Sequence, residues 1–158
     1  TLPPPIRPPL DACQIDDYEA AEQAAVYGKA GLKVGTAVEV KNVIDGFANS
    51  WSGAKITKKE SGNKFGIEYT DFVDSKKKPM AESGMARNRL RLSPGDAAKG
   101  WAPVVGELVE VNEDDCWWEA RVLSMAGKKL EVMYRTSDEK KSVTLSKKVR
   151  PCSWLKMG

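Results

Sequence analysis

The chain has 158 residues, of which 41% are hydrophobic and 30% charged, and its formal net charge is +3. This length allows one medium domain or two small ones, and no apolar run approaches the roughly 20 residues needed to span a bilayer. The absence of histidine excludes Ser-His and Cys-His catalysis and every histidine-ligated metal site. Three cysteines without a C-x-x-C spacing argue against a disulfide framework and a cysteine zinc site. A carboxylate or lysine enzyme is still possible, but the usual general base is missing. We therefore expect no enzyme, no cofactor and no membrane segment.

The N-terminal residues 1–33 predict a linker followed by a short helix. TLPPPIRPPL has five prolines in ten residues, which is typical of an extended linker. Asp16 or Asp17 is placed to cap a helix rich in alanine and glutamate that ends near Gly28 or Gly31. The N-terminal residues are rich in proline and do not form the charged segment followed by an apolar segment that is typical of a signal peptide.

From Val34 onward the sequence changes to short alternating runs of β-forming residues. TAVEVKNV, SGAKITKKE and KFGIEYT alternate as half-buried strands do, and DGFANS and ESGNK separate them as turns. MARNRLRLSP closes this set, and GDAAKGWAP connects it to a second set made of GELVEVNE, WWEARVLSM, KLEVMYRT and KSVTLSKKVRP. Strands this short and evenly spaced predict small antiparallel barrels.

The two sets of strands repeat one unit. The motifs recur in the same order: VGTAVEV (34–40) as VGELVEV (105–111), WSGAKI (51–56) as WWEARV (117–122), FGIEY (65–69) as LEVMY (130–134), and RLRLSP (89–94) as KVRPCS (148–153). An internal repeat defines the unit of folding, so we predict unit 1 at 34–96 and unit 2 at 103–157. Units of this size bury little surface alone, and we therefore expect them to share an interface.

The repeated order of motifs resembles the plant Agenet domain. It comprises G-x-x-V-E-V, then W-x-x-A-[KR]-[IV], then [IV]-E-Y followed by acids, then L-R-x-x-P, and it covers about residues 34–156. Agenet domains belong with Tudor, chromo and PWWP domains, which are small bent barrels. The resemblance implies a mainly β fold of two small antiparallel Tudor-like barrels in tandem, packed together. It also implies a nuclear module of a larger chromatin protein that reads methylated lysine, with a histone H3 tail as partner.

Methyl-lysine recognition makes a specific chemical demand. A methylated ammonium keeps its charge but loses N–H donors, so it is bound by aromatic faces that attract a cation, usually beside a carboxylate. Tudor-type cages are built by the loop between the first two strands and by the segment after the third. The family segment Y-x-x-[FY]-x-[DN] fits YTDFVD (69–74), which assigns Tyr69 and Phe72 as two walls and Asp74 as the polar member.

Other residues of the cage and of the peptide surface are assigned with alternatives. Phe47 and Trp51 fall in or just after the first inter-strand loop and are candidate walls. Trp51 matches Trp117 of unit 2, and this repetition equally favours a core position for both. Acidic side chains that could contact a basic peptide are Asp45, Asp71, Glu113, Asp114 and Asp115.

Unit 2 departs from the cage pattern. Ser137 occupies the position in unit 2 that Phe72 occupies in unit 1, and Arg135 adds a positive charge. Trp117, Trp118 and Tyr134 remain. A cage that lacks a wall should bind weakly. We therefore expect unit 2 to be mainly structural, or to contact the peptide away from the methyl-lysine.

The alternative function is DNA or RNA binding by the same fold through a basic face. Basic surface with exposed aromatic rings is what sequence-tolerant nucleic-acid binding uses. The residues that could line such a face are Lys58, Lys59, Lys76, Lys77, Lys78, Arg89 and Arg91. Nucleic-acid affinity would fall steeply with salt, whereas cage binding would depend on lysine methylation. A scaffolding role, in which the barrels bind a linear motif of a partner protein, also remains open.

Overall fold

The computed structural model describes residues 32–152. The predicted linker and helix of residues 1–33 lie outside the described residues, apart from Leu32 and Lys33, and so do residues 153–157 of predicted unit 2. Between residues 32 and 152, no helix is long and apolar enough to cross a membrane.

The described part of the chain consists of short antiparallel strands in two successive sets. Unit 1 contains β1 (Ala37–Lys41), β2 (Trp51–Glu60), β3 (Lys64–Val73), β4 (Pro79–Ala86), a turn of 3-10 helix (Arg87–Arg89) and β5 (Leu90–Leu92). Unit 2 contains β6 (Leu108–Glu113), β7 (Cys116–Ala126), β8 (Lys129–Tyr134), β9 (Lys140–Thr144) and β10 (Val149–Pro151). The predicted mainly β, antiparallel architecture is therefore confirmed.

Both units have the same strand connectivity. In unit 1, β1 to β4 pair in sequence and β5 returns to pair with β1; in unit 2, β6 to β9 pair in sequence and β10 returns to β6. Register shifts in β2 and β7 bend the strands, as β-bulges do. Within residues 32–152 no pairing joins β4 to β5 or β9 to β10, so the predicted closed barrels are not confirmed. The ten strands form one open sheet, in which β2 of unit 1 pairs with β7 of unit 2. The short last strand of each unit pairs instead with the first strand of that unit, β5 with β1 and β10 with β6.

Each unit encloses its own apolar core. The core of unit 1 contains Leu32, Val38, Val40, Ala54, Ile56, Phe65, Ile67, Tyr69, Met85 and Leu90. The core of unit 2 contains Val109, Val111, Ala120, Val122, Leu130, Val132, Tyr134 and Val149. Repeated sequence motifs supply repeated core positions, because alternate residues of a strand face the same side. Each fully buried aliphatic side chain contributes about 1.5–3 kcal/mol.

The two units join along β2 and β7, where Trp51 is paired with Trp117 in an antiparallel register. The glutamate between the two valines of each V-E-V motif points away from its own core and is nevertheless buried: Glu39 is 2% exposed and Glu110 is 2% exposed. Both face the neighbouring unit. The predicted packing of the units against each other is therefore present in the structure.

Two arginines from the last strands complete a buried ionic cluster between the units. Arg91 of β5 donates from Nε to Glu39 at 2.9 Å and from Nη2 to Glu110 at 2.7 Å. Arg150 of β10 donates from Nε to Glu110 at 2.9 Å and from Nη2 to Glu39 at 2.8 Å. Loss of one partner would leave a charge buried without compensation, so this cluster favours a single arrangement of the two units.

Candidate functional site

The structure brings together the two aromatic residues predicted as cage walls in unit 1. Tyr69 lies in the middle of β3 opposite Ala54, and Phe72 lies three residues later in the same strand. Their ring centroids are 5.7 Å apart and the ring planes are inclined at 77°, an edge-to-face arrangement. Tyr69 is buried and Phe72 is half-buried against the core of unit 1. The two rings therefore form a corner with its outer side at the surface.

A carboxylate that the sequence patterns did not identify lies beside this corner. The Tyr69 hydroxyl donates to Oε1 of Glu82 at 3.3 Å. Burial, followed by the charge of Glu82, raises the pKa of Tyr69 to about 12, so the hydroxyl stays protonated at neutral pH. Glu82 lies on β4, whose register against β3 shifts twice, and such shifts cannot be read from alternation alone.

Unit 2 places negative charge near Asp71 of unit 1. Burial and the nearby charge of Asp115 raise the pKa of the Asp71 carboxyl. Asp115 and Asp114 form the two-residue turn between β6 and β7, with φ angles of 58° and 54°. Such left-handed pairs are the ordinary geometry of a tight β-hairpin, and aspartate tolerates it. The tight turn therefore presents the charge of Asp115 to unit 1.

Asp74 has a structural role that the cage assignment did not anticipate. Its Oδ1 atom accepts hydrogen bonds from the backbone N–H of Lys76 at 2.8 Å and of Lys78 at 3.0 Å. Aspartate commonly closes turns in this way. Asp74 thus holds the exposed turn that follows β3.

Trp51 lies in the interface between the units, so the structure selects the core alternative and contradicts its assignment as a cage wall. The side chain is only 2% exposed. The Arg91 guanidinium carbon stacks over the ring at 4.0 Å from its centroid, and Arg150 stacks on Trp117 in the same way at 3.7 Å. A ring covered on one face and buried on the other cannot receive a ligand.

Phe47 is exposed but faces the other unit. Its ring centroid lies 6.2 Å from that of Trp118 of unit 2, and the ring planes are inclined at 35°. Asp45 is exposed in the same loop. The structure therefore pairs Phe47 with an aromatic residue of unit 2, whereas the sequence patterns made it a candidate wall of the cage in unit 1.

A cavity of about 380 Å³ opens between this loop and unit 2. Volumes of this order are typical of sites for small ligands and side chains. The cavity is lined by Gly46, Ala48, Glu113, Asp114, Trp118, Tyr134, Thr136, Ser137 and Glu139. Glu113, predicted to hold a basic side chain of a peptide, is ion-paired with Lys141 of its own unit.

The predicted basic face is only partly present. Lys58, Lys59 and the three lysines Lys76–Lys78 are exposed. The Arg89 guanidinium, in contrast, donates twice to the carbonyl oxygen of Lys41, at 2.9 and 3.1 Å. Arg91 is fully buried in the ionic cluster and cannot touch nucleic acid, which corrects its assignment to that face.

Comparison with known proteins identifies the family. Residues 35–94 and 106–154 match the family model described as the Agenet domain. The crystal structure of Arabidopsis thaliana AGDP1 AGD34 is similar at a TM-score of 0.67 and 23% identity, over 86% of this chain and 89% of that chain. The crystal structure of ADCP1 tandem Agenet domain 3-4 is similar at a TM-score of 0.65 and 24% identity, over 85% and 87% of the two chains. At these identities the structural likeness shows the fold alone. No curated protein matches the sequence.

Proposed function

Because the chain belongs to the Agenet domain family, we propose that it is a chromatin reader that binds methylated lysine in a histone H3 tail. Tyr69 and Phe72 of unit 1 are the walls of the proposed cage. The observation that carries this proposal is the edge-to-face corner of the two rings, 5.7 Å between centroids, at the surface of unit 1. A nuclear location within a larger chromatin protein is part of the same proposal.

The corner suits a methylated ammonium for a physical reason. A cation that lies between two inclined rings contacts the face of one ring and, beside it, the second ring. Neither contact needs an N–H donor on the cation. Cation–π contacts contribute about 0.5–1 kcal/mol at exposed sites and about 2 kcal/mol or more when desolvated. Since Phe72 is half-buried, we place its contribution between these limits.

Acidic side chains around the corner favour a basic peptide. Glu82 is bonded to Tyr69, and Asp71 and Asp115 are close enough for the charge of one to affect the other. Asp114 and Asp115 are exposed in the turn of unit 2 and are the proposed peptide contacts there, together with Asp45 in the first loop of unit 1. Glu113 is already paired with Lys141 and contributes less.

Nucleic-acid binding is retained as a second candidate because of one observation. The turn after β3 presents Lys76, Lys77 and Lys78 to solvent, and Asp74 holds the backbone of that turn in place. Lys58 and Lys59 at the end of β2 add exposed positive charge. Such a surface would bind DNA or RNA through phosphates, with an affinity that falls steeply as salt rises.

A modified-histone peptide array distinguishes the two candidates. The proposed reader should retain methylated H3 peptides above their unmodified versions, and Phe72→Ala should remove that preference. Binding of duplex DNA with a steep salt dependence, together with no preference for any methylated peptide, would support the second candidate and reject the first. The array also identifies which methylated lysine and which methylation state are preferred.

A further inference from the structure

Unit 2 has an opening between β9 on one side and β6 and β10 on the other, and we call this opening the seam. No pairing joins β9 to β10 in the described part of the chain. A cavity of about 250 Å³ lies in the seam, with an apolar lining of Val111, Val143 and Val149 and with Asn112 and Lys148 among its polar lining. This volume is below the roughly 300–1,000 Å³ of pockets for small molecules, so it suits a single side chain.

The corresponding position of unit 1 is occupied by a cation that the fold itself binds. β5 and β10 have the same register against β1 and β6, so Arg89 corresponds to Lys148 and Lys41 to Asn112. The Arg89 guanidinium donates twice to the carbonyl oxygen of Lys41, at 2.9 and 3.1 Å. The Lys148 side chain, in contrast, is exposed beside the cavity. Unit 2 therefore keeps a cation at the surface where unit 1 uses one inside the fold.

The strand β9 offers a free backbone edge beside the seam. It pairs with β8 alone among residues 32–152, in an unbroken register from Lys140 to Thr144. The Leu145 N–H donates to the carbonyl oxygen of Lys128, which fixes the alternation of this ladder. Because hydrogen-bonded pairs alternate in an antiparallel ladder, Lys140, Ser142 and Thr144 turn their N–H and C=O groups away from β8. Such an edge is a template for a further strand.

The free edge of unit 1, on β4, is less suited to a further strand. β4 begins with Pro79, and its register against β3 shifts twice. Gly84 has a φ angle of 68°, and its N–H is bonded to the Glu60 carboxylate at 2.9 Å. Proline and irregular register are usual devices against strand addition. β9 has neither of them.

Positive charge surrounds the seam. Four exposed lysines lie at the turns that flank it: Lys128, Lys129, Lys147 and Lys148. The bond from Leu145 to the Lys128 carbonyl joins these two turns. Glu113 of the lining is ion-paired with Lys141, and the exposed Glu131 lies on β8, one strand further from the edge. This charge attracts an acidic ligand, and it disfavours both a basic tail and a second copy of this chain, whose own lysines would be repelled.

We propose that the seam and the free edge of β9 bind an acidic, extended peptide of a partner protein, which adds a strand to β9 and places one aliphatic side chain in the seam cavity. In this mode of recognition the main-chain hydrogen bonds give affinity and the side-chain pocket gives specificity. The inference goes beyond the proposed function, because it involves neither Tyr69 nor Phe72 and takes a ligand of opposite charge to a histone tail. It gives the scaffolding role, left open by the sequence, a defined surface.

The test is an NMR titration of the full chain with the capped peptide Glu-Asp-Val-Ile-Val-Asp-Glu. The backbone amides of Lys140, Ser142 and Thr144 should shift saturably and exchange more slowly with solvent. Two control peptides carry lysine at the four acidic positions or asparagine in place of the central isoleucine. Each should bind at least about threefold more weakly, because the first loses charge complementarity and the second loses the apolar anchor. A short DNA duplex tests phosphate binding by the same lysines.

Substitutions in β9 and beside the cavity test the two parts of the site separately. Ser142→Pro removes an N–H that faces the free edge and no bond to β8, a position where edge strands tolerate proline. It should weaken peptide binding about three- to tenfold, the effect of one lost hydrogen bond, whereas Ser142→Ala keeps the N–H and should retain the affinity. Lys148→Glu should also weaken binding about three- to tenfold, and Lys148→Arg should restore it.

The proposal is overturned by any of three results: no saturable shift of the β9 amides, equal affinity for the acidic and the lysine peptide, or wild-type affinity in Ser142→Pro. Should Ser142→Pro disturb the fold, N-methylation of the peptide at the central isoleucine or at the next valine replaces it. Alternate N–H groups of an added strand face β9, so one methylation must weaken binding more than the other.

Other ligands of the surface give different results. Shifts around Lys148 with the DNA duplex and none with the acidic peptide would show a phosphate-binding surface and would also overturn the proposal. Shifts of the Tyr69 and Phe72 amides with a methylated H3 peptide report on the proposed function alone. Failure of the one titration with success of the other therefore shows which of the two proposals is wrong.

Discussion

Arg150 of unit 2 donates from its Nη2 atom to both carboxylate oxygens of Glu39 of unit 1, at 2.8 Å each. The symmetric contact, from Arg91 of unit 1 to Glu110 of unit 2, measures 2.7 Å. All four side chains are buried. Separation of the units would leave these charges without partners, so the cluster holds the units together. The loop between β1 and β2 of unit 1 and the turn between β6 and β7 of unit 2 are therefore held in constant positions.

Glu39→Gln should destabilise the whole chain. It removes a charge from the buried cluster and leaves Arg150 and Arg91 incompletely compensated, which costs about 3–5 kcal/mol. Urea denaturation measures the change in the free energy of unfolding. Glu68→Gln is the matched control: its pair with Lys55 is exposed at 3.8 Å, and such pairs contribute at most about 1 kcal/mol. Equal losses in the two variants would show that the buried cluster does not hold the units together.

Trp51→Ala should lower the stability of the chain more directly than it lowers peptide binding. The side chain is buried under Arg91 at the interface, and truncation of a buried tryptophan costs about 3–5 kcal/mol. Denaturation and peptide binding are measured on the same variant, at a temperature where it remains folded. A Trp51→Ala variant that kept wild-type stability and lost only methyl-lysine binding would show that Trp51 is a cage wall.

The two roles of Asp74 can be separated by a pair of substitutions. Asp74→Ala removes the acceptor for the N–H groups of Lys76 and Lys78 and should cost about 1 kcal/mol in stability. Asp74→Asn keeps an acceptor oxygen and removes only the charge, so it should retain both stability and peptide affinity. If Asp74→Asn lowers affinity as much as Asp74→Ala, the carboxylate charge itself contacts the methylated cation.

Stability should fall in alkaline solution because of Tyr69. Burial and Glu82 raise its folded-state pKa to about 12 from the ordinary value of 10.0. The folded chain therefore holds this proton where the unfolded chain has lost it, and the stabilisation present below pH 10.0 is lost as pH rises towards 12. Urea denaturation across this range should show a smaller decline in Tyr69→Phe than in the wild type. Parallel declines would mean that other groups govern alkaline stability.

The sequence predicts the repeated unit well because the fold repeats its local patterns. The alternation in TAVEV places Val38 and Val40 in the core, and the family segment YTDFVD correctly brings Tyr69 beside Phe72. The interface was predicted but its buried ionic cluster was not, although the sequence carried a signal for it: an acidic residue between two buried valines in both units, Glu39 and Glu110. A charge repeated inside an apolar strand indicates a buried partner.

The crossing of Phe47 to unit 2 could not be predicted in the same way. No local period relates the loop between β1 and β2 to the end of β8, because their contact depends on how the two units are oriented. That orientation is set by the pairing of Trp51 with Trp117 and by the ionic cluster. The cavity that Ser137 lines together with Gly46 and Ala48 of the other unit therefore has no signal in the repeat pattern.

The most direct test of the reader account is a calorimetric titration of the wild type, Phe72→Ala and Val73→Ala with one H3 tail peptide in trimethylated and unmodified forms. We expect preference for the trimethylated peptide, a loss of about 3- to 30-fold in Phe72→Ala, and no loss in Val73→Ala, whose side chain is exposed and does not pack on the core of unit 1. Equal affinity of the wild type for the two peptides, or equal affinity of Phe72→Ala and the wild type for the trimethylated peptide, would contradict it.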